Sequence, residues 1–295
     1  MRQVALLSHA RLPRQYDDRQ VLATTVDAWG RAQWFLCPQV GLVPVTHGGH
    51  YARPSRYPYD GVLVSSDGTA VRERVLRGVD LRPSHLDTLP NERVLLQGRT
   101  ADHAGGAQIY GRDGRRRRSF DMGTAVEQVL ADRHHHLWSA YFDEGVYVDP
   151  ISASGLVRWD SGGNRQWGYS APPGVAYIDT VYAFNVDDRM AWAVYYPTFP
   201  LLQAHADGRV RLRRNPLGRP SGLAVHGDRL LLLGCDGTGS LHYCRLTDDE
   251  VVVVDEAVLT RPDGGPLRGR IQTVGRGRHL YVRPASGWTW HVLSL

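Results

Sequence analysis

The sequence predicts an all-β chain made of a repeated four-strand unit, and its spacing and turns support this. In residues 124–168, short apolar runs alternate with turns rich in Gly, Pro, Asp and Asn, which is typical of strands rather than helices. A turn containing Asp recurs after the third strand of each unit, in steps of 46, 47, 47 and 41 residues: Asp67, Asp113, Asp160, Asp207 and Asp248. Asp-Gly turns between apolar runs favour hairpins. Four strands every ~40–50 residues is the period of a β-propeller blade.

The two ends of the chain predict how the ring closes. A further step of 47 residues from Asp248 ends at Leu295, the last residue. The C-terminal part offers three strands, at 271–274, 279–283 and 288–293, and a lone strand at 4–7 opens the chain. We therefore expect a six-bladed β-propeller of four-stranded blades, whose last blade is closed by N- and C-terminal strands and leaves no open seam. Seven blades is the alternative, because the first unit is long enough to contain additional irregular strands.

The length predicts one domain. All-β rings of about this size are often single domains, and no charged or low-complexity linker divides the 295 residues. We expect residues 1–295 to form one propeller domain. Its blades would lie at about 20–77, 81–121, 124–170, 178–214, 221–260, and 270–295 together with 3–9.

The composition argues against a membrane protein. No apolar stretch approaches the ~18–20 residues that span a bilayer, and the apolar core near the N-terminus is too short for a signal peptide. Three cysteines, Cys37, Cys235 and Cys244, lack the spacing of a disulfide framework or a metal site. We expect a cytoplasmic protein with reduced, buried thiols.

The charge permits anionic partners without identifying one. The net charge is +5, and every Lys or Arg position is Arg. Arginine runs at 115–118 and 209–214 follow turns on one face, but no interleaved aromatic residues or nucleic-acid motif accompany them. Solvated edge strands are therefore the expectation, rather than a nucleic-acid interface.

The unusual loops all fall on one face of the predicted propeller, called here the top. It is the face where each inner, channel-lining strand begins and where second and third strands are joined. The loops at 38–59, 99–106, 143–150 and 195–200 lie there. Long loops in compact domains are usually functional, so we expect residues 38–59 to cover the channel as a mobile segment.

Candidate catalytic residues cluster on the top by this argument. They are Glu127, Asp143, Glu144, Asp179 and His85. Carboxylates crowded in a channel raise one another's pKa, which suits acid–base catalysis. The same oxygens can instead collect a divalent cation or pair with channel arginines as a structural network. No dedicated metal site is predicted, because the three histidines at 134–136 lie on a turn of the opposite face.

Candidate ligand-binding residues are aromatic or polar side chains of the same face. They are His47, His50, Tyr51, Arg53, Arg82, Tyr182, Tyr195 and Tyr196. A pocket with aromatic walls and a few polar groups is the usual form of a small-molecule site.

The stretch 221–233, SGLAVHGDRLLLL, resembles the repeat of NHL-type, gluconolactonase-like and virginiamycin B lyase-like propellers. The resemblance implies the propeller fold. In the gluconolactonase-like group an Asn at the start of a blade binds a metal together with Glu and Asp, whereas this chain has Ser221 there.

Two functions remain open from the sequence. The first is binding of a small molecule (a sugar, lactone or peptide natural product) or lyase- or hydrolase-type catalysis at the top of the channel. The alternative is a non-catalytic propeller that binds a protein partner through its top loops.

Overall fold

The computed structural model describes residues 2–38, 42–44, 52–54, 56–100 and 103–295. It is an all-β structure, and its helical segments are single turns: Arg14–Tyr16, Pro90–Glu92, α1 (Asp143–Val146) and Ser152–Ser154. No helix in these ranges is long and apolar enough to cross a membrane.

The strands have the following bounds: β1 (Arg2–Ala5), β2 (Leu7–Arg11), β3 (Arg19–Val26), β4 (Ala32–Pro38), β5 (Leu42–Pro44), β6 (Ala52–Pro54), β7 (Tyr59–Ser66), β8 (Val71–Val79), β9 (Arg82–Leu89), β10 (Arg93–Arg99), β11 (Gly106–Tyr110), β12 (Arg116–Asp121), β13 (Val126–Ala131), β14 (His136–Tyr141), β15 (Leu156–Asp160), β16 (Arg165–Gly168), β17 (Thr180–Asp187), β18 (Met190–Tyr196), β19 (Leu201–His205), β20 (Val210–Arg213), β21 (Gly222–His226), β22 (Arg229–Leu233), β23 (Ser240–Leu246), β24 (Val251–Thr260), β25 (Ile271–Arg276), β26 (His279–Pro284) and β27 (Thr289–Ser294).

Most strands pair in chain order into antiparallel four-stranded units. These are β3-β4-β7-β8, β9-β10-β11-β12, β13-β14-β15-β16, β17-β18-β19-β20 and β21-β22-β23-β24. The strands β25, β26 and β27 form a further unit, which a single parallel bridge between Asn185 and Gly275 connects to β17. In each unit the first strand lies innermost.

The recurring Asp turns hold the outer hairpins as the sequence predicts. The Asp67 carboxylate accepts a hydrogen bond from the Thr69 N–H at 2.9 Å, and the carboxylates of Asp113, Asp160 and Asp207 do the same two residues on. The following Gly68 has φ +95°, a conformation that glycine adopts without strain. The turn spacing therefore reports real backbone geometry.

The N-terminus closes the last unit, but with a different strand from the one expected. The sequence predicts residues 4–7 as this strand. In the structure, β2 (Leu7–Arg11) pairs antiparallel with the last strand β27. The first strand β1 (Arg2–Ala5) instead pairs parallel with β24, outside the preceding unit. The lone residue between them, Leu6, is buried, because the chain crosses from one sheet to the next there.

Buried polar side chains join the inner strands at the centre of the ring. Arg276 donates to Asp87 Oδ2 at 2.7 Å, and also to the carbonyl oxygens of Val26 and Ala131. Asn185 donates to the carbonyl oxygens of Leu223 and Gly277. Arg276, Asp87 and Asn185, called here the hub, therefore link β3, β9, β13, β17, β21 and β25.

The hydrophobic core lies between neighbouring sheets. Trp34, Trp138 and Trp290 are completely buried there. Burial raises the pKa of Cys37 to about 11 and that of Cys244 to about 12. These thiols are protonated at neutral pH and act as small apolar groups.

The arginine run at 115–118 lies on an outer edge. Residues 116–118 belong to β12, the outermost strand of its sheet, and are exposed. Arg117 pairs with Asp113 at 2.7 Å, and Arg118 donates to Asn164. The run is thus a solvated edge, as its sequence predicts.

The hub generates a stability prediction. Asp87→Ala should lower the free energy of unfolding by about 3–5 kcal/mol, because it leaves the buried Arg276 guanidinium without its carboxylate. Asp228→Ala, which removes an exposed carboxylate 3.8 Å from Arg245, should leave the unfolding midpoint unchanged. Urea unfolding of both variants measures this. A loss below about 1 kcal/mol in Asp87→Ala would show that the hub does not hold the ring.

The two N-terminal strands generate a second prediction. Deleting residues 1–5 removes only an outer strand and should change stability little. Deleting residues 1–11 also removes β2 and the buried Leu6, and should cost about 3 kcal/mol or more from lost ladder bonds and apolar burial. Thermal and urea unfolding compare the two truncations. Equal stability of the two would contradict closure by β2.

Candidate functional site

A cavity of about 740 Å³ occupies the top end of the central channel. The inner strands β3, β9, β13, β17 and β25 and the segments before β21 and β25 line it. Its polar lining includes Thr24, Ser84, His85, Glu127, Gln128, Tyr182, Arg219, Ser221, Arg270, Gln272, Thr273 and Arg283. This volume is that of a small-molecule site.

Backbone bulges place several of these side chains in the cavity. In the pairing of β13 with β14, the register passes from Val126 to Gln128 and leaves Glu127 without an opposite residue. Tyr182 in β17 and Ser84 in β9 are skipped in the same way. Bulges bend a strand and redirect a side chain, and they are over-represented next to active sites. The repeated bulge at the top end of these strands therefore presents Ser84, Glu127 and Tyr182 to one space.

Glu127 is the acid of this cavity. Ala125, two residues before it, has φ +50°, which is an uncommon conformation for a residue with a side chain. Within the described ranges the Glu127 carboxylate has no hydrogen bond or ion pair, although its backbone oxygen accepts one from His85. The Glu127 side chain is exposed to the cavity. Partial desolvation by the neighbouring protein raises the pKa of its carboxyl group. A carboxyl group so placed can hold or release a proton closer to neutral pH.

His85 is fixed beside Glu127 by both ring nitrogens. Its Nε2 lies 2.9 Å from the backbone oxygen of Glu127, and its Nδ1 lies 2.8 Å from Gln97 Oε1. Burial lowers the pKa of His85, which favours the neutral ring. When the Nε2 atom of neutral His85 carries the proton, Nδ1 is an acceptor. The Gln97 side-chain amide must in that case present its NH2 group, rather than Oε1, to Nδ1. His85 therefore connects β9 to the bulge of β13.

The other side of the cavity is lined by three arginines, Arg219, Arg270 and Arg283. Arg283 donates to Gln272 Oε1 and to the carbonyl oxygens of Pro284 and Gly287. It lies over the Trp288 ring at 4.7 Å, and burial lowers its pKa to about 10. Arg219 lies over the Tyr182 ring at 4.6 Å.

The other three predicted catalytic carboxylates lie away from the cavity. Asp143 and Glu144 open the single-turn helix α1. Asp179 accepts hydrogen bonds from the hydroxyls of Thr180 and Tyr147. None of these three carboxylates lines the cavity with Glu127. For Asp143 and Glu144 the reason is that the chain after β14 turns into a helix.

The predicted ligand-binding residues divide in the same way. Tyr182 lines the cavity. Tyr195 is fully buried, and its hydroxyl contacts Tyr169 and the Ala176 carbonyl. Tyr196 is exposed and packs edge-on against Phe199. Arg82 begins β9 and lies outside the cavity lining.

The remaining predictions fall in the insertion. Arg53 lies in β6, which pairs with β5. His47, His50 and Tyr51 lie outside the described residues, as does half of the expected covering segment 38–59.

Sequence reasoning did not select Ser84, Arg219, Arg270, Gln272 or Arg283. A usable signal exists for two of them. Arg219 and Arg270 stand just before the inner strands β21 and β25, at the top of the ring. The signal for Arg283 is weaker, because its place depends on side chains of neighbouring strands.

The described residues contain no group of three His, Cys, Asp or Glu side chains that could hold a metal ion. The four carboxylates therefore do not form such a group, which was the alternative that the sequence left open for them. His136 of the histidine tract instead contacts Asp132 at 2.7 Å within its turn.

Solved structures with a similar fold are β-propellers. Virginiamycin B lyase from Staphylococcus aureus, a catalytically inactive variant solved with quinupristin, has 12% identity and a TM-score of 0.50, over 98% of this chain and 99% of that one. Hsv2 from Kluyveromyces lactis has 10% identity and a TM-score of 0.55, over 94% of this chain and 74% of that one. The chain has a β-propeller fold.

A chain of a nidogen/laminin complex is a third similar structure, with 12% identity and a TM-score of 0.50, over 86% of this chain and 92% of that one. No protein-family model matches the propeller chain, and no curated protein matches it. At such identities the likeness shows the fold alone, and the similar propellers include both a lyase and proteins of binding complexes.

The raised pKa of Glu127 has a consequence for stability. An acid whose pKa is higher in the folded state costs stability as pH rises from its unfolded value through its folded value. Glu127→Gln should therefore be more stable than the native chain at neutral pH, and this advantage should vanish below about pH 4. Unfolding curves across pH measure it. Glu144→Gln, which alters an exposed carboxylate outside the cavity, is the matched control. A Glu127→Gln variant that is less stable at every pH would mean that the carboxylate has a structural partner.

Proposed function

We propose that the chain is a single six-bladed propeller domain whose central cavity binds a small organic ligand, with Glu127 as its acid–base group. The bulged, unpartnered Glu127 in a 740 Å³ cavity carries this proposal. Glu127 is exposed to the cavity and makes no side-chain hydrogen bond or ion pair within the described residues, so its carboxylate is available to a ligand.

The pairing of the strands supports a count of six blades. The units β3 to β24 and the unit of β25–β27 with β2 follow one another around the hub. Six four-stranded units agree with the 46- and 47-residue steps in the sequence.

The reaction class that Glu127 supports is proton transfer, as in a lyase or a hydrolase. A carboxyl with a raised pKa can take a proton from a ligand hydroxyl or acidic carbon, or return it to a leaving group. Within the described residues His85 acts on Glu127 only through its backbone oxygen. We assign His85 as a positioning residue and Glu127 as the catalytic residue. Sugars, lactones and peptide natural products are the ligand classes.

A separate observation favours the second candidate function. Tyr147, Val148 and Tyr177 are exposed on the top face, at 60%, 75% and 54%. The hydroxyls of Tyr147 and Tyr177 are 2.8 Å apart. Exposed aromatic side chains are enriched at protein interfaces, so this cluster supports the alternative of a protein-binding propeller.

Titration with a panel of lactones, sugars and cyclic peptides, followed by amide NMR, separates the two functions. A cavity ligand should shift the amides of Ser84, Glu127 and Tyr182. Glu127→Gln should lower any turnover by about 100-fold or more and reduce binding far less. Tyr147→Ala, outside the cavity, should leave both unchanged. Shifts confined to Tyr147 and Tyr177 would favour the protein-binding alternative, and shifts at neither place would reject ligand binding by this panel.

A further inference from the structure

The charges in the cavity are divided between two sides. Arg219, Arg270 and Arg283 lie on the side of β21 and β25, whereas Glu127 lies on β13 with His85 beside it on β9. Burial favours the neutral form of His85, so His85 adds no charge. Three arginine side chains, which are charged at any ordinary pH, therefore face one carboxylate. The cavity is therefore positively charged overall when empty.

The arginine side lacks counter-ions among the described residues. None of Arg219, Arg270 and Arg283 has a carboxylate oxygen within 4.0 Å there; the partners of Arg283 are an amide oxygen and carbonyl oxygens. Several arginines elsewhere in the chain do have a carboxylate partner, as in the pairs Arg31–Asp27 and Arg214–Glu250. Of the three, Arg283 is half-buried, and a half-buried guanidinium without a counter-charge costs free energy. An anion in the cavity removes that cost.

The opposite side offers neutral and acidic hydrogen-bonding groups. In the described ranges the Ser84 hydroxyl, the Gln128 amide and the Glu127 carboxylate have no hydrogen-bond partner, although all three line the cavity. Burial alone raises the pKa of Glu127, with no contribution from an arginine. Among the described residues no arginine nitrogen lies within 4.0 Å of the Glu127 carboxylate, so the two sides of the cavity do not pair directly and a ligand can bridge them.

We propose that the cavity ligand is a small polyhydroxylated anion, a sugar carrying a carboxylate or a phosphate, with its anionic group at the three arginines and a hydroxyl at Glu127. The inference rests on the proposed ligand-binding function and specifies its ligand class. Arginine binds both carboxylates and phosphates, so the arginine side alone does not choose between the two. The hydroxyl and amide side chains on the other side match sugar hydroxyls rather than an apolar ring.

The test compares matched sugars by isothermal titration calorimetry and amide NMR: D-glucuronate, D-glucose 6-phosphate and neutral D-glucose. At least one anionic sugar should bind roughly tenfold or more tightly than glucose, and more weakly as ionic strength rises. The tighter of the two identifies carboxylate or phosphate as the anionic group.

A variant pair locates the anionic group. Arg219→Gln combined with Arg270→Gln should weaken binding of the preferred sugar by about tenfold or more, and both substitutions lie at exposed positions. Arg268→Gln is the matched control, because Arg268 is also exposed, lies two residues from Arg270 and does not line the cavity. It should bind as the native chain does.

The remaining outcomes overturn the inference in distinguishable ways. Glucose binding in the cavity as tightly as both anions would reject the anionic ligand and keep the proposed function. Unchanged affinity in the double arginine variant would reject the arginine side as the anion site. Absence of cavity shifts with all three sugars would reject the sugar class, and the lactone and peptide panel would then decide the proposed function by itself.

Discussion

The fold depends on one buried guanidinium. Arg276 holds the inner strands β3, β9 and β13 from its place in β25, by donating to Val26, Asp87 and Ala131. Burial raises the pKa of Asp87 to about 6 even with Arg276 beside it. Desolvation of the carboxylate thus exceeds the attraction of the pair. The contribution of the hub is therefore to fix one arrangement of the sheets, since a buried pair adds little net stability but is costly to break.

The same strands serve the hub and the cavity at different heights. Along β13, Glu127 to Leu130 line the cavity, Ala131 contacts the hub, and Asp132 faces a separate space on the opposite face. The hub side chains are hydrogen-bonded to their neighbours, whereas the Ser84, Glu127 and Gln128 side chains in the cavity above have no partner among the described residues. Because the centre is rigid, the bulges can carry strain and unpartnered groups without disturbing the ring.

Local patterns in the sequence predicted the fold well, and the site only in part. Apolar runs and Asp turns are local signals, so the four strands β13 to β16 lie within the unit 124–168 that the sequence predicts. Which N-terminal segment closes the last unit, residues 4–7 or β2, depends on where the chain crosses from one sheet to the next. Local sequence patterns do not indicate that crossing point. Glu127 and Tyr182 line the cavity, because they lie near the start of inner strands. Asp143 does not, because a single helical turn after β14 removes it from the channel. Bulges and the setting of Arg283 arise from pairing between strands and cannot be read from one segment.

The hub also determines the path of anything that binds. Its side chains fill the centre of the ring, since Asp87 and Asn185 are fully buried, and separate the top cavity from the space on the other face. Within the described structure the hub consequently closes the lower end of the cavity, which is therefore not a continuous pore through the ring. A molecule that enters must leave in the reverse direction, so two molecules cannot follow each other through the ring. Whatever is released competes with the next arrival for a single mouth.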